Sequence, residues 1–139
     1  MDADLRREEA RISKFFGFAA LTFWGTLGFL LEAAHAFKWS PYLDQPLRRE
    51  LFTWAHAHGV GLALVVLAYA AVGVHQGLSR SAGWRLRAGA TLLPLGFLVS
   101  VFGHAESDPG PAILAVPVGA LLVLSSLFEI TRAVRNESP

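Results

Sequence analysis

Four apolar runs, at about residues 15–37, 51–74, 86–104 and 112–132, constrain the fold more than any other feature of this chain. Each is near the ~20 residues that a helix needs to cross ~30 Å of hydrocarbon. In lipid, only helices and closed barrels satisfy their own backbone groups, and these runs are too long for barrel strands. A water-soluble bundle would carry a polar stripe along every helix, and here almost none is present. Charged residues make up 17% of the 139 positions, well below the roughly 25% of a soluble domain. The expected fold is all-α, an integral membrane four-helix bundle in the lipid bilayer.

The connections set the topology. Asp44, Gln45 and Pro46 mark one turn, "GLSRSAG" at 77–83 a second and "ESDPGP" at 106–111 a third. Turns this short force up-down-up-down neighbours. Residues 1–14 read as an amphipathic cytoplasmic segment, residues 15–133 as the four-helix domain and residues 134–139 as a cytoplasmic tail. Nine basic residues fall on the side of the termini: Arg6, Arg7, Arg11, Lys14, Arg80, Arg85, Arg87, Arg132 and Arg135. Lys38, Arg48 and Arg49 are the three on the other side. The positive-inside rule then places both termini in the cytoplasm, in the plasma membrane of a prokaryote. "AHA" at 34–36 imitates a signal-peptide cleavage site, but the run before it is long and holds Glu32, so the first helix is expected to be retained. Trp39, Trp54 and Trp84 lie near span ends, where amphipathic rings sit at the interface.

The chain has no cysteine. That excludes disulfides, thiolate metal sites, iron–sulfur clusters and covalently attached haem. A net charge of +1 without a basic cluster gives no reason to expect a nucleic-acid partner.

Four of the five histidines converge on one depth. His35 ends the first helix, His56 and His58 open the second, and His104 ends the third, all toward the outer side; His75 alone is cytoplasmic. Glu106 follows just beyond His104. Glu32 lies one turn before His35, and intramembrane carboxylates are functional candidates by default. At ~100° per residue, Glu32 and His35 share a face with Gly17, Leu21, Gly25 and Gly28. His104 shares one with Gly89, Leu93, Gly96, Phe97 and Ser100. Small-residue stripes of this kind admit a neighbouring backbone or a flat ligand. Glu129 is expected to pair with Arg132 at the cytoplasmic surface.

His56 and His58 stand in "FTWAHAHGVGL", residues 52–62. Two residues apart is ~200° around a helix, so they point to opposite sides and cannot hold one metal ion from a regular helix. Gly59, Val60 and Ala63 accompany His56. Trp54, Gly61, Leu62, Val65 and Tyr69 accompany His58.

The "AHAHG" of residues 55–59 resembles the tenth helix of the catalytic subunit in the haem-copper oxidase superfamily, and looks most like its nitric oxide reductase branch. The resemblance implies that His56 holds a high-spin haem and His58 a low-spin haem. Those subunits are built as three arcs of four helices, with the motif on the second helix of its arc, as here. The chain thus resembles one free-standing arc, and a homotrimer would rebuild the ring. The family's paired copper histidines and its cross-linked histidine–tyrosine helix have no counterpart in this chain.

Three functional expectations stand side by side. The first is a non-covalent haem b protein, redox or gas-binding, with Glu32 and Tyr69 around the haem and an electron-transfer partner. The second is a haem-free site for copper, zinc or non-haem iron built from Glu32, His35, His104 and one of His56 or His58. The third is a non-catalytic subunit of a membrane complex, its histidines bonding between helices.

Overall fold

The computed structural model describes residues 3–76, 79–102 and 108–136 of the chain. All regular structure among them is helical: α1 (Ala3–Ala36), α2 (Ser40–Leu43), α3 (Pro46–Gln76), α4 (Arg80–Val99), a 3-10 turn (Pro111–Leu114) and α5 (Ala115–Asn136). Three segments, Ala3–Ala36, Pro46–Val72 and Pro111–Asn136, are long and apolar enough to cross a membrane. α4 has 20 residues, but Arg80, Arg85 and Arg87 occupy its first turns and shorten its apolar part.

Local chemistry sets the helix ends. α1 stops on Lys38, which adopts φ 50°. The amide of Lys38 donates to the carbonyl of His35 at 3.1 Å, and that of Trp39 to the carbonyl of Ala34 at 2.9 Å. This is the paired bonding of a Schellman cap, with lysine in the left-handed place that glycine usually takes. Pro46 opens α3, where its missing N–H is no loss. Ser79 caps α4 by accepting from the amide of Ala82 at 3.1 Å.

The long helices pack in chain order and antiparallel: α1 on α3, α3 on α4 and α4 on α5. Gly17 lies against Leu67 and Gly28 against His56, so α1 and α3 run in opposite directions. Gly89 meets Gly119, and Gly96 meets Val116, giving the same relation between α4 and α5. α1 also touches α4, but α1 and α5 share no extended contact among the described residues. The helices therefore form a row, with α5 on the outside of α4. Val66, Tyr69, Leu86, Ala90 and Val123 form the buried apolar cluster of α3, α4 and α5. Phe15, Phe18, Phe23, Leu64, Leu121 and Phe128 face outward and are exposed. A belt of that size is unusual against water and natural against hydrocarbon.

The charged residues before position 15 do not form a separate lead-in. α1 runs unbroken from Ala3, and Glu9 and Ser13 are buried. Arg87 of α4 pairs with Glu9 and donates to Ser13 Oγ at 2.5 Å. A buried charge persists only when paired and hydrogen-bonded, and this cluster provides both.

Candidate functional site at the His56–His58 turn of α3

The two histidines leave α3 on opposite sides, as the ~200° separation requires. His56 faces α1. Its ring lies where a side chain at Gly28 would be. One turn away, the indole of Trp24 occupies the equivalent place over Gly59 of α3. The two helices thus exchange rings across a glycine each, and Trp24 is 4% exposed as a result. Nδ1 of His56 is 2.8 Å from the Trp24 carbonyl oxygen. A carbonyl only accepts, so Nδ1 carries a proton and donates; Nε2 makes no hydrogen bond among the described residues.

His58 faces α4. Its Nδ1 donates to the carbonyl of Trp54, one turn back, at 2.8 Å. The ring stacks on Trp54 at 5.6 Å and 17°, and leans on Phe97 of α4 at 5.3 Å and 34°. Again Nε2 makes no hydrogen bond among the described residues. An open hollow of about 260 Å³ lies along His58, Ala57, Gly61 and Leu62.

On the α1 side, His56 shares a pocket of about 200 Å³ with Gly25, Gly28, Glu32, Tyr42 and Thr53. His56 and Glu32 are thereby brought together. Glu32 and His35 are exposed near the end of α1, where His35 places a basic group in the last turn. His104, Glu106 and the side chain of His75 lie outside the described residues. Among the described residues, no three His, Cys, Asp or Glu side chains form a group that would hold a metal ion.

Two expected neighbourhoods differ in the structure. Tyr69 is not beside Glu32; it lies at the other end of the helices, where its hydroxyl donates to the carbonyl of Ser79 at 3.2 Å. Tyr69 follows His58 by about three turns, so it keeps the angular position but not the depth. Glu129 pairs with Arg85 and bonds Ser79, while the guanidinium of Arg132 sits 5.1 Å over the ring of Phe128.

A cofactor as large as haem exceeds both hollows, which fall below the ~300 Å³ at which ligand pockets usually begin. It would have to lie along the open flank of His58, where Ala57 and Gly61 offer little side chain. Sequence reasoning misses Trp24, because its contribution is a backbone carbonyl. Its signal is the register: Trp24 and Gly28 are one turn apart on α1, opposite Gly59 and His56 on α3. No family model, curated protein or solved structure matches this chain.

Proposed function

We propose that this chain is an integral membrane protein that binds haem b through the histidines of α3, near the face opposite its termini. The observation that carries the reading is the pinning of both imidazoles. Each Nδ1–H is held on a backbone carbonyl, which leaves Nε2 as the ligand nitrogen; His58 borders an open hollow, whereas the ring of His56 is packed against Gly28 of α1. His58 is the first choice: Trp54 and Phe97 hold its ring on two sides, and the hollow beside it is open, so a macrocycle larger than the hollow would extend out of it along Ala57 and Gly61. Bound haem would supply electron transfer or gas binding. The chain's own part is to orient the imidazole and keep hydrocarbon around it.

In this reading all four long helices cross the bilayer, with N- and C-termini in the cytoplasm. α4 spans ~30 Å at ~1.5 Å per residue, and two of its arginines are neutralised by pairing, Arg87 with Glu9 and Arg85 with Glu129. The row of helices leaves the flank of His58 open, so a second copy is the natural source of the remaining haem surface and of a second axial ligand. A trimer, as the resemblance implies, is the proposed assembly.

A second reading is favoured by one shared pocket. Glu32 and His56 line the same pocket with Tyr42 and Thr53, which gives copper, zinc or non-haem iron the beginning of a mixed N/O site. One experiment separates the two: absorption spectra of detergent-purified protein, oxidised and reduced, with elemental analysis of the same sample. A Soret band lost in His58→Ala supports haem. A colourless sample carrying stoichiometric metal, lost in Glu32→Gln, replaces that reading with the second.

A further inference from the structure

Glu32 is the one acidic or basic side chain, apart from His56, in the wall of the pocket on the α1 side of α3. Among the described residues the ion pairs are Arg85 with Glu129 and Arg87 with Glu9, so Glu32 has no cation of this chain within pairing distance there. It stands one turn before the end of α1. A carboxylate at that level of a membrane helix calls for a partner. Beside it Gly25 leaves open space, with nothing within 4 Å of where a side chain would begin.

The rest of the wall narrows the choice of cation. Phe29 and Tyr42 contribute aromatic rings, whose faces attract organic cations. Tyr42 is buried, its ring tilted on Phe52 at 6.3 Å. Thr53 commits its hydroxyl proton to the carbonyl of Arg49 at 2.9 Å, so its oxygen can only accept from an occupant. The Nδ1–H of His56 is likewise taken by the Trp24 carbonyl. The polar part of the wall is therefore richer in acceptors than in free donors. A bare metal ion would find Glu32 and His56 but no third His, Cys, Asp or Glu among the described residues, in a space of about 200 Å³. A quaternary ammonium has no N–H for these oxygens. A primary ammonium has three N–H donors, a compact charge and an apolar carbon attached to it.

We infer that this pocket binds a primary ammonium group, its N–H donors on the Glu32 carboxylate and the Thr53 hydroxyl oxygen and its first carbons against Phe29 and Tyr42. The pocket lies where α1 ends and α3 begins, so the group can arrive on an aminophospholipid at headgroup level or on a water-soluble alkylamine. The inference concerns the pocket of the second reading, where it puts an organic cation in place of a metal, and it is independent of haem at His58.

The test follows the unfolding temperature of the detergent-purified full chain, which a ligand of the folded state raises. Four probes are titrated: hexylammonium, hexyltrimethylammonium, dihexanoyl phosphatidylethanolamine and dihexanoyl phosphatidylcholine. Each trimethyl compound controls for the charge and chain of its primary counterpart. The two primary ammonium compounds are expected to raise the temperature in a saturable way, and the trimethyl compounds are not. Glu32→Gln should shift half-saturation to roughly tenfold more ligand, and Glu50→Gln, an acidic residue outside the pocket wall, should not. Saturation by the phosphatidylethanolamine at a lower concentration than by hexylammonium assigns the lipid as the source; the reverse order assigns a soluble amine. Should Glu32→Gln lose its helical circular dichroism, the contrast between primary and trimethyl compounds on the wild-type chain decides. Equal responses to the two kinds of ammonium overturn the inference. So does a response that a folded Glu32→Gln protein keeps in full, or a stoichiometric metal that Glu32→Gln removes.

Discussion

His56 occupies the space that a side chain at Gly28 would need, and this single relationship joins the candidate site to the packing of α1 on α3. A methyl group at position 28 meets imidazole atoms at under 3 Å and cannot be accommodated while the ring donates to Trp24. Gly28→Ala is therefore expected to destabilise the protein by ~1–3 kcal/mol, the usual penalty of overpacking. Gly25→Ala is the control. Nothing lies within 4 Å of its added methyl, and alanine is favoured over glycine within a helix by up to ~1 kcal/mol. Thermal unfolding in one detergent should rank the three as Gly25→Ala, wild type, Gly28→Ala. A Gly28→Ala protein as stable as wild type would mean that His56 does not sit against α1.

The two histidines should also separate functionally. In the haem reading, His58→Ala removes the ligand on the open flank and leaves the contact between α1 and α3 intact. It is expected to abolish the Soret band with little change in unfolding temperature, and added imidazole should restore part of the absorption. His56→Ala empties the space over Gly28 and removes the bond to Trp24, so it should lower stability by ~1–3 kcal/mol. If both variants keep a wild-type spectrum, neither histidine is an axial ligand.

Phe97 tests the support of His58. Its ring is 5.3 Å from the imidazole and 5.9 Å from Trp54, closing the side of the stack that faces α4. Phe97→Leu keeps apolar volume but removes the flat surface. In the haem reading it should weaken haem retention, measured as the rate of transfer to an acceptor protein, without abolishing binding. A retention rate equal to wild type would show that Trp54 alone is sufficient to hold the ring.

Much of the helical framework is legible in sequence because it depends on local properties. Apolar runs mark the long helices, and a rotation of ~100° per residue separates His56 from His58 without any knowledge of their neighbours. Contacts between distant segments are not legible in the same way. Glu9 and Ser13 continue, at i and i+4, the stripe that leads to Gly17, yet their charges and those around them read as a cytoplasmic lead-in. The partner that buries them, Arg87, is 78 residues away from Glu9, and no periodicity announces it. Proximity in the chain matches Glu129 to Arg132, whereas the helix row brings Arg85 across from α4. Tyr69 shares the face of His58, but face without depth is half a position.

That distant pairing supports the last prediction. Glu9 and Arg87 have side-chain exposures of 4% and 15%, and Ser13 bonds into the same cluster. Removing one partner leaves a charge buried alone, so Glu9→Gln or Arg87→Met should each lower stability by ~3–5 kcal/mol. The double variant leaves no orphaned charge and should recover a large part of the loss. Arg85 and Glu129 form the internal comparison. With exposures of 29% and 37%, their pair is screened and should contribute only ~0–1 kcal/mol. Denaturation of both sets as double-mutant cycles would give a large coupling energy for Glu9 and Arg87 and a small, salt-sensitive one for Arg85 and Glu129. Equal couplings would mean that the start of α1 is not docked on α4, and that residues 3–14 behave as the free lead-in their charge pattern resembles.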